Sequence, residues 1–289
     1  MSSQSAPASE TEGNDEPQLS TSAQLAYWES ISVDVNGMLG GYPQISRVDI
    51  QFSRIFLAKI RRLYNKKDNP STATTRSTRS GISDTAHASE YQGYAFSHAL
   101  EAGAGIGRVT LQLLAPLCAK IDIIEPIQRF TDILTAPTSL LVKDGQLERV
   151  WNVPLQEWSA DSIPAYTSST IARDATEQTA PKYDLIYNQW CLNHLSQTSL
   201  VTYLRALILL LDTPNGWIIV KENLSTDAFG ADIFDPIDSS VTRSDGNWRA
   251  AFREAGLQLV HMELQRGFPK ELRLYPVGMY ALRPAQGGA

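Results

Sequence analysis

Two cysteines in 289 residues, Cys118 and Cys191, are too few for a disulfide framework. Both lie in apolar surroundings and read as buried free thiols of a reducing compartment. No His or Cys residues recur at ligand spacing, so no metal site is expected. Long apolar runs are also missing. None approaches membrane-spanning length, and the N-terminus has no basic-then-apolar leader. Nor is there an excess of positive charge. Lys and Arg number 25 against 31 Asp and Glu, a net charge of −6, which argues against broad electrostatic binding to nucleic acid. The same balance suits a basic peptide as partner. A soluble, intracellular protein is expected. At 43% hydrophobic residues, the chain can build one large domain or two small ones.

The rest of the chain is organised around Leu100-Glu101-Ala102-Gly103-Ala104-Gly105-Ile106-Gly107-Arg108. An apolar run precedes it, and helically spaced apolar residues from Val109 to Cys118 follow it. The pattern is strand, glycine turn, helix. Glycine permits positive φ and lets a ligand lie against the backbone, while the helix directs its first N–H groups at the same spot. The next strand, Lys120 to Glu125, ends in a carboxylate 22 residues beyond Gly103. That is near the spacing at which an acid meets a ribose diol, so a nucleoside-bearing ligand is the first inference. Glu101, two residues before the first glycine, favours S-adenosylmethionine over NAD. A carboxylate there can reach the cationic end of the cofactor, and no pyrophosphate needs the helix N-terminus.

Residues 1–22 are polar and read as a disordered tail, and 23–64 as an N-terminal helical extension capping the active site. Within the extension, helix is expected over Ala23–Trp28 and from Ser46 to about Tyr64. The glycines and proline of Asn36–Pro43 point to a helix-free loop between them. Residues 65–92 are low in complexity and read as a flexible insertion, a solvated linker despite Lys66, Lys67, Arg76 and Arg79. From Gly93, strands are expected at 95–101, 120–125, 147–153, 183–189, 216–222, 257–264 and 274–282. Helices are expected at 106–118, at 127–142 with a break at Pro137, at 197–211 and at 245–255. Residues 158–181 read as a Ser/Thr-rich loop. Such alternation makes 93–289 an α/β, Rossmann-like domain, a mainly parallel seven-stranded sheet ending in an antiparallel hairpin.

Ligands of such sheets sit outside the carboxyl ends of the strands. After the third strand, the Leu155 backbone and Gln156 are placed to meet an adenine ring. Later loops carry Trp190, His194, Asn223, Asp235 and Asp238, all candidates for one cleft. Taken singly, each has an ordinary structural reading as core, cap or interior residue.

These stretches resemble the alpha N-terminal protein methyltransferases. The resemblance rests on Tyr27-Trp28, Gly37-Met38-Leu39-Gly40-Gly41-Tyr42, Ala102 to Arg108, Gln189-Trp190 with His194-Leu195, and Lys221-Glu222-Asn223. Ile237-Asp238-Ser239-Ser240-Val241 and Tyr275 with Ala281-Leu282-Arg283 complete it. It covers roughly residues 25–62 and 93–283. It implies the seven-β-strand S-adenosylmethionine-dependent fold and methylation of the free α-amine of proteins that begin X-Pro-Lys or X-Pro-Arg, in the cytoplasm and nucleus. Gly103, Gly105, Arg108, Glu125, Leu155, Gln156 and Gln189 would hold the cofactor, helped by Trp28. Trp190 would embrace the first substrate residues with Asn223, which belongs with the catalytic group. Asp235 and Asp238 would meet the basic side chain or the amine, with Tyr275, Gly40 and Ser240 lining the channel. Asp238 and His194 would act as bases. The sequence departs from the family pattern at Glu125, often Asp, at Asn193, which replaces a smaller residue, and in the length of the insertion. A small-molecule methyltransferase on the same fold, or an inactive cofactor-binding partner protein, are the alternatives.

Overall fold

The computed structural model describes residues 19–65, 93–169, 171, 180–212 and 216–285. The expected tail before Leu19 and nearly all of the 65–92 insertion lie outside the described residues. Three α-helices, α1 (Thr21–Ser30), α2 (Val35–Met38) and α3 (Ser46–Asn65), form the extension, with a 3-10 turn at Pro43–Ile45 leading into α3. Helix α1 starts two residues earlier than expected because Ser20 caps it, accepting from the Ala23 amide. The helix-free loop is corrected too. Asp34 caps the single turn α2 by accepting from the Gly37 amide at 2.8 Å, and Gly40 and Gly41, at positive φ, end it.

The domain proper carries β1 (Phe96–Ala102), β2 (Cys118–Ile124), β3 (Leu147–Trp151), β4 (Tyr166–Thr167), β5 (Leu185–Gln189) and β6 (Trp217–Asn223). A small hairpin, β7 (Ile233–Asp235) and β8 (Ser240–Thr242), precedes β9 (Leu257–Leu264) and β10 (Val277–Pro284). The main sheet has the order β4-β3-β2-β1-β5-β6-β10-β9. Strands β3, β2, β1, β5 and β6 run parallel, and β10 and β9 close one edge antiparallel. The sheet therefore has eight strands rather than seven. The additional edge strand, β4, pairs antiparallel with β3 out of the stretch read as a loop. Reversal of strand order on either side of β1 opens a crevice between β1, β2 and β5 at their carboxyl ends.

Helices α4 (Gln128–Thr135) and α5 (Leu140–Lys143) divide at Pro137, as the sequence indicates. Helices α6 (Gln197–Leu210) and α7 (Asp245–Glu254) also form where expected. The helix after the glycine turn is shorter than its apolar spacing suggests. It includes a π-helical turn, Thr110–Leu114, and the chain is in strand again at Cys118. Pro116 has no N–H to continue the ladder, which stops the helix.

Period-two alternation in the strands divides the core. On one face Leu100, Ile186 and Val220 pack with Leu204 and Leu207 of α6 and Trp248 and Phe252 of α7. On the other, Ile121, Leu185, Tyr187 and Ile219 pack with Phe56, Leu57 and Ile60 of α3 and with Leu113. Helix α3 is thus part of the core. No helix among the described residues is long and apolar enough to cross a membrane.

Within that second core lies a buried carboxylate. Asp49, in the first turn of α3, accepts from Arg108 Nη1 at 2.7 Å, Lys221 Nζ at 2.5 Å and Gln189 Nε2 at 2.9 Å. Burial alone would raise its pKa, but the charges of Lys221 and Arg108 hold it below the usual carboxylate range. Removing one partner of a buried ion pair leaves an uncompensated charge at a cost of about 3–5 kcal/mol. Asp49→Ala is therefore expected to lose about that much stability, measured by urea unfolding. A loss under about 1 kcal/mol would show that apolar packing alone holds α3 to the sheet.

Candidate active site

At the carboxyl ends of β1, β2, β3 and β5, under α1, lies a cavity that opens to solvent, with about 1000 Å³ of empty space counting its open mouth. Its floor is the glycine turn. A Cβ on Gly103 would lie 2.4 Å from Cys191 Cβ, and one on Gly105 would displace the Met38 thioether from 2.6 Å while straining a backbone at φ 54, so both positions favour glycine. Leu25, Trp28, Met38, Val109, Phe130 and Leu155 give apolar walls, and Gln24, Gln156 and Gln189 polar ones.

Two buried carboxylates face this space. Glu125 accepts the Gly105 amide at 2.8 Å and the Ile127 amide at 3.0 Å. Glu101 accepts the Thr110 hydroxyl at 2.6 Å. Burial pushes both carboxyls up to about 7, outweighing those hydrogen bonds. Arg108 reaches in from beside them, its guanidinium 5.6 Å from the centre of the Trp190 ring. Gln189 also lines the cavity, but its amide is engaged by Asp49, and its carbonyl accepts Tyr187 OH at 2.9 Å.

The loop after β5 leaves the sheet under strain. Trp190 has φ 53, a left-handed conformation costing an L residue about 1–2 kcal/mol. Glu222 holds it there, one carboxylate oxygen accepting the amides of both Cys191 and Leu192 at 2.9 Å. The Trp190 amide itself donates to Lys221 O at 3.1 Å. The loop is thereby tied to the end of β6, two residues before Asn223. Ser239 is strained in the same way, at φ 53, where the β7–β8 hairpin turns back against this loop.

Helix α1 covers the site with polar contacts. The Gln24 amide donates to His194 O at 2.9 Å and Ser239 O at 2.8 Å, and Gln156 reaches Thr21 Oγ1 at 2.7 Å. Trp28 Nε1 donates to His194 Nε2 at 3.1 Å. Arg129 donates to the carbonyls of Trp28 and Ile31. Burial pushes His194 below the ordinary histidine value, although the Asp238 charge pulls the other way.

All eight residues expected to hold the cofactor (Gly103, Gly105, Arg108, Glu125, Leu155, Gln156, Gln189 and Trp28) line this one cavity, with Trp190 and His194. Asn223, Asp235, Asp238, Ser240, Tyr275 and Gly40 do not line it. The charge of Asp238 acts on both His194 and Tyr27, and that of Asp235 on Tyr27. Asp235 is solvent-exposed at the hairpin tip, opposite the buried Ser240 in the ladder. Tyr275 is 39% exposed, and Gly40 is exposed with nothing within 4 Å of a Cβ built on it. The sequence reading assigned no role to Asp49, Glu222, Gln24 or Met38. Asp49 looks like an ordinary first-turn acid of an amphipathic helix, and nothing local marks Gln24. Elsewhere, His98, Asp122 and Glu148 converge within metal-ligand reach of one another, but Arg149 and Lys120 already pair with the two carboxylates at 3.1 and 3.2 Å.

A glycine cradle without room for a Cβ, two acids that favour a positive partner, and apolar walls fit S-adenosylmethionine. The fold agrees. A SAM-dependent methyltransferase from Leishmania major superposes with a TM-score of 0.64 at 28% identity, covering 91% of this chain and 82% of that one. Fold and cavity together define an S-adenosylmethionine-dependent methyltransferase. The family described as AdoMet dependent proline di-methyltransferase matches residues 16–86 and 72–283. Alpha N-terminal protein methyltransferase 1 of Schizosaccharomyces pombe is 34% identical over 93% of this chain and 98% of its own length. N-terminal Xaa-Pro-Lys N-methyltransferase 1 of Xenopus tropicalis is 33% identical over 93% and 97%. The chain belongs to this family.

A carboxyl raised to about 7 is partly protonated at neutral pH, and a cationic ligand favours its ionised form. Affinity for S-adenosylmethionine is therefore expected to rise with pH through about 7, with protons released on binding. Calorimetry in buffers of different ionisation enthalpy measures both. Glu101→Gln should weaken the dependence, leaving the share due to Glu125, and a pH-independent affinity in the unaltered protein would refute the assignment.

Proposed function

We propose that the protein methylates the free α-amine of proteins that begin X-Pro-Lys or X-Pro-Arg, using S-adenosylmethionine. One observation carries this reading. Among the described residues, Trp190 Nε1, Asn193 Oδ1, His194 Nδ1 and Asp238 Oδ1 are buried without a hydrogen-bond partner, all on the two loops at the mouth of the cavity. Leaving such a group unpaired costs about 1–3 kcal/mol, so the site favours a ligand with several donors and acceptors. A peptide N-terminus brings an amine and successive amides. A small apolar substrate would leave these groups unsatisfied.

In this reading Gly103, Gly105, Glu101, Glu125 and Arg108 hold the cofactor's sugar and amino-acid ends. Leu155, Gln156 and Trp28 hold its base, and Gln189 acts through Asp49 to fix Arg108. Bound there, the cofactor supplies an electrophilic methyl group on a sulfonium. Trp190 and Asn223 embrace the first substrate residues, including the proline ring. Asp235, exposed on the hairpin, meets the Lys or Arg side chain, while Gly40, Ser240 and Tyr275 frame the approach. Asp238 and His194 flank the amine.

An α-amine has a pKa near 7.7–8.0, so roughly a tenth is neutral at pH 7, a shortfall worth only about 1.4 kcal/mol. Holding two reactants in a near-attack arrangement is worth about 7–11 kcal/mol. Positioning by Trp190 and Asn223 therefore outweighs proton removal.

Mass spectrometry of an X-Pro-Lys hexapeptide incubated with enzyme and S-adenosylmethionine should show added methyl groups, lost when the amine is acetylated. No incorporation into the free peptide would sink the reading. Asn223→Ala is expected to reduce activity at least as much as His194→Ala at alkaline pH. Should His194→Ala stay much the worse above about pH 9, where the amine is already neutral, His194 rather than Asn223 does the larger share of positioning and this ranking fails.

A further inference from the structure

His194 has two ring nitrogens in different circumstances. Nε2 faces Trp28 Nε1 at 3.1 Å, with the rings nearly perpendicular at 85°. An indole N–H can only donate, so Nε2 must accept, and the neutral ring then carries its proton on Nδ1. Nδ1 is buried without a partner among the described residues, and so is Asp238 Oδ1. The two are close enough for the Asp238 charge to act on the ring. The Gln24 amide takes the backbone carbonyl of His194, and the Ser239 backbone carbonyl faces the ring alongside Asp238. The groups that act on the ring from the hairpin, the Ser239 carbonyl and the Asp238 carboxylate, are both acceptors, which suits a proton on Nδ1.

We propose that Trp28 is a positioning residue that locks His194 as the Nδ1–H tautomer, so that His194 donates a hydrogen bond while Asp238 alone takes the proton of the substrate amine. The inference rests on the function proposed above and divides the work of its two candidate bases. An N–H bond of the ammonium breaks and an O–H bond forms on the Asp238 carboxylate. The nitrogen keeps the electron pair. Nδ1–H, already carrying a proton, has no lone pair to offer. Because Trp28 also lines the cofactor cavity, the same indole that borders the cofactor sets the state of the ring beside the amine.

Nitrogen-15 NMR of the full chain labelled at its four histidines tests this directly, the signal of His194 being the one lost in His194→Ala. The expected result is an Nδ1-protonated ring in the unaltered protein. In Trp28→Phe, the Nε2-protonated form should appear and the His194 titration should move to higher pH, because the bond that favoured the neutral ring is gone. An Nε2-protonated ring in the unaltered protein, or no change in Trp28→Phe, overturns the proposal. The second arm compares rates. The amide nitrogen of His194→Asn can replace the Nδ1–H donor, so this variant should lose no more than about tenfold, whereas loss of a general base costs about 10²–10⁴-fold. Equal losses in His194→Asn and His194→Ala overturn the division of labour. The NMR result can be read with no substrate present, so its failure is distinct from failure of peptide methylation.

Discussion

The structure depends on the charge balance around Asp49. This carboxylate comes from the N-terminal extension, while its partners come from the helix after the glycine turn, the end of β5 and the end of β6. Each of those elements also contributes to the site: Arg108 and Gln189 line the cavity, and Lys221 lies two residues before Asn223. The two cations hold the Asp49 carboxyl low, while burial in turn pulls the Lys221 ammonium below its ordinary value. Burial in a low-dielectric core makes that arrangement unforgiving, since any displaced member would be an unpaired charge. The extension is therefore joined to the catalytic domain by electrostatics as well as by the Phe56, Leu57 and Ile60 packing.

A second constraint acts on the backbone. Trp190 and Ser239 both occupy left-handed conformations although neither is glycine. Such strain persists only where surrounding contacts over-determine it, and it gathers where side chains must be aimed. Here Glu222 fixes one loop by its two amide bonds, and Gln24 joins that loop to the hairpin by bridging the carbonyls of His194 and Ser239. Helix α1, which buries only Gln24, is thus held by directed hydrogen bonds more than by apolar area.

The sheet was legible because parallel strands buried on both faces must be apolar runs, and the runs at Phe96, Cys118, Leu185 and Trp217 have few other readings. Missed elements were those set by a single local contact. The turn α2 exists because Asp34 caps it against the preferences of Gly37, and β4 is two residues added to an edge. The early stop after Leu114 follows from Pro116, a signal that was present but outweighed by the apolar spacing around it.

By itself the sequence determined the order of the main strands and helices, the glycine turn, and the chemical types needed for a nucleoside and a sulfonium, but not α2, β4 or the β7–β8 hairpin. Those are properties of short windows, where backbone preference and apolar period act on neighbours. Only the tertiary structure decided what Asp49, Glu222 and Gln24 do, and which nitrogen of His194 meets Trp28. Their partners lie far along the chain, 172 residues apart for Asp49 and Lys221 and 166 for Trp28 and His194. Hydrogen bonds and ion pairs act over a few ångströms, so these meetings come into being only when the sheet has brought distant loops together.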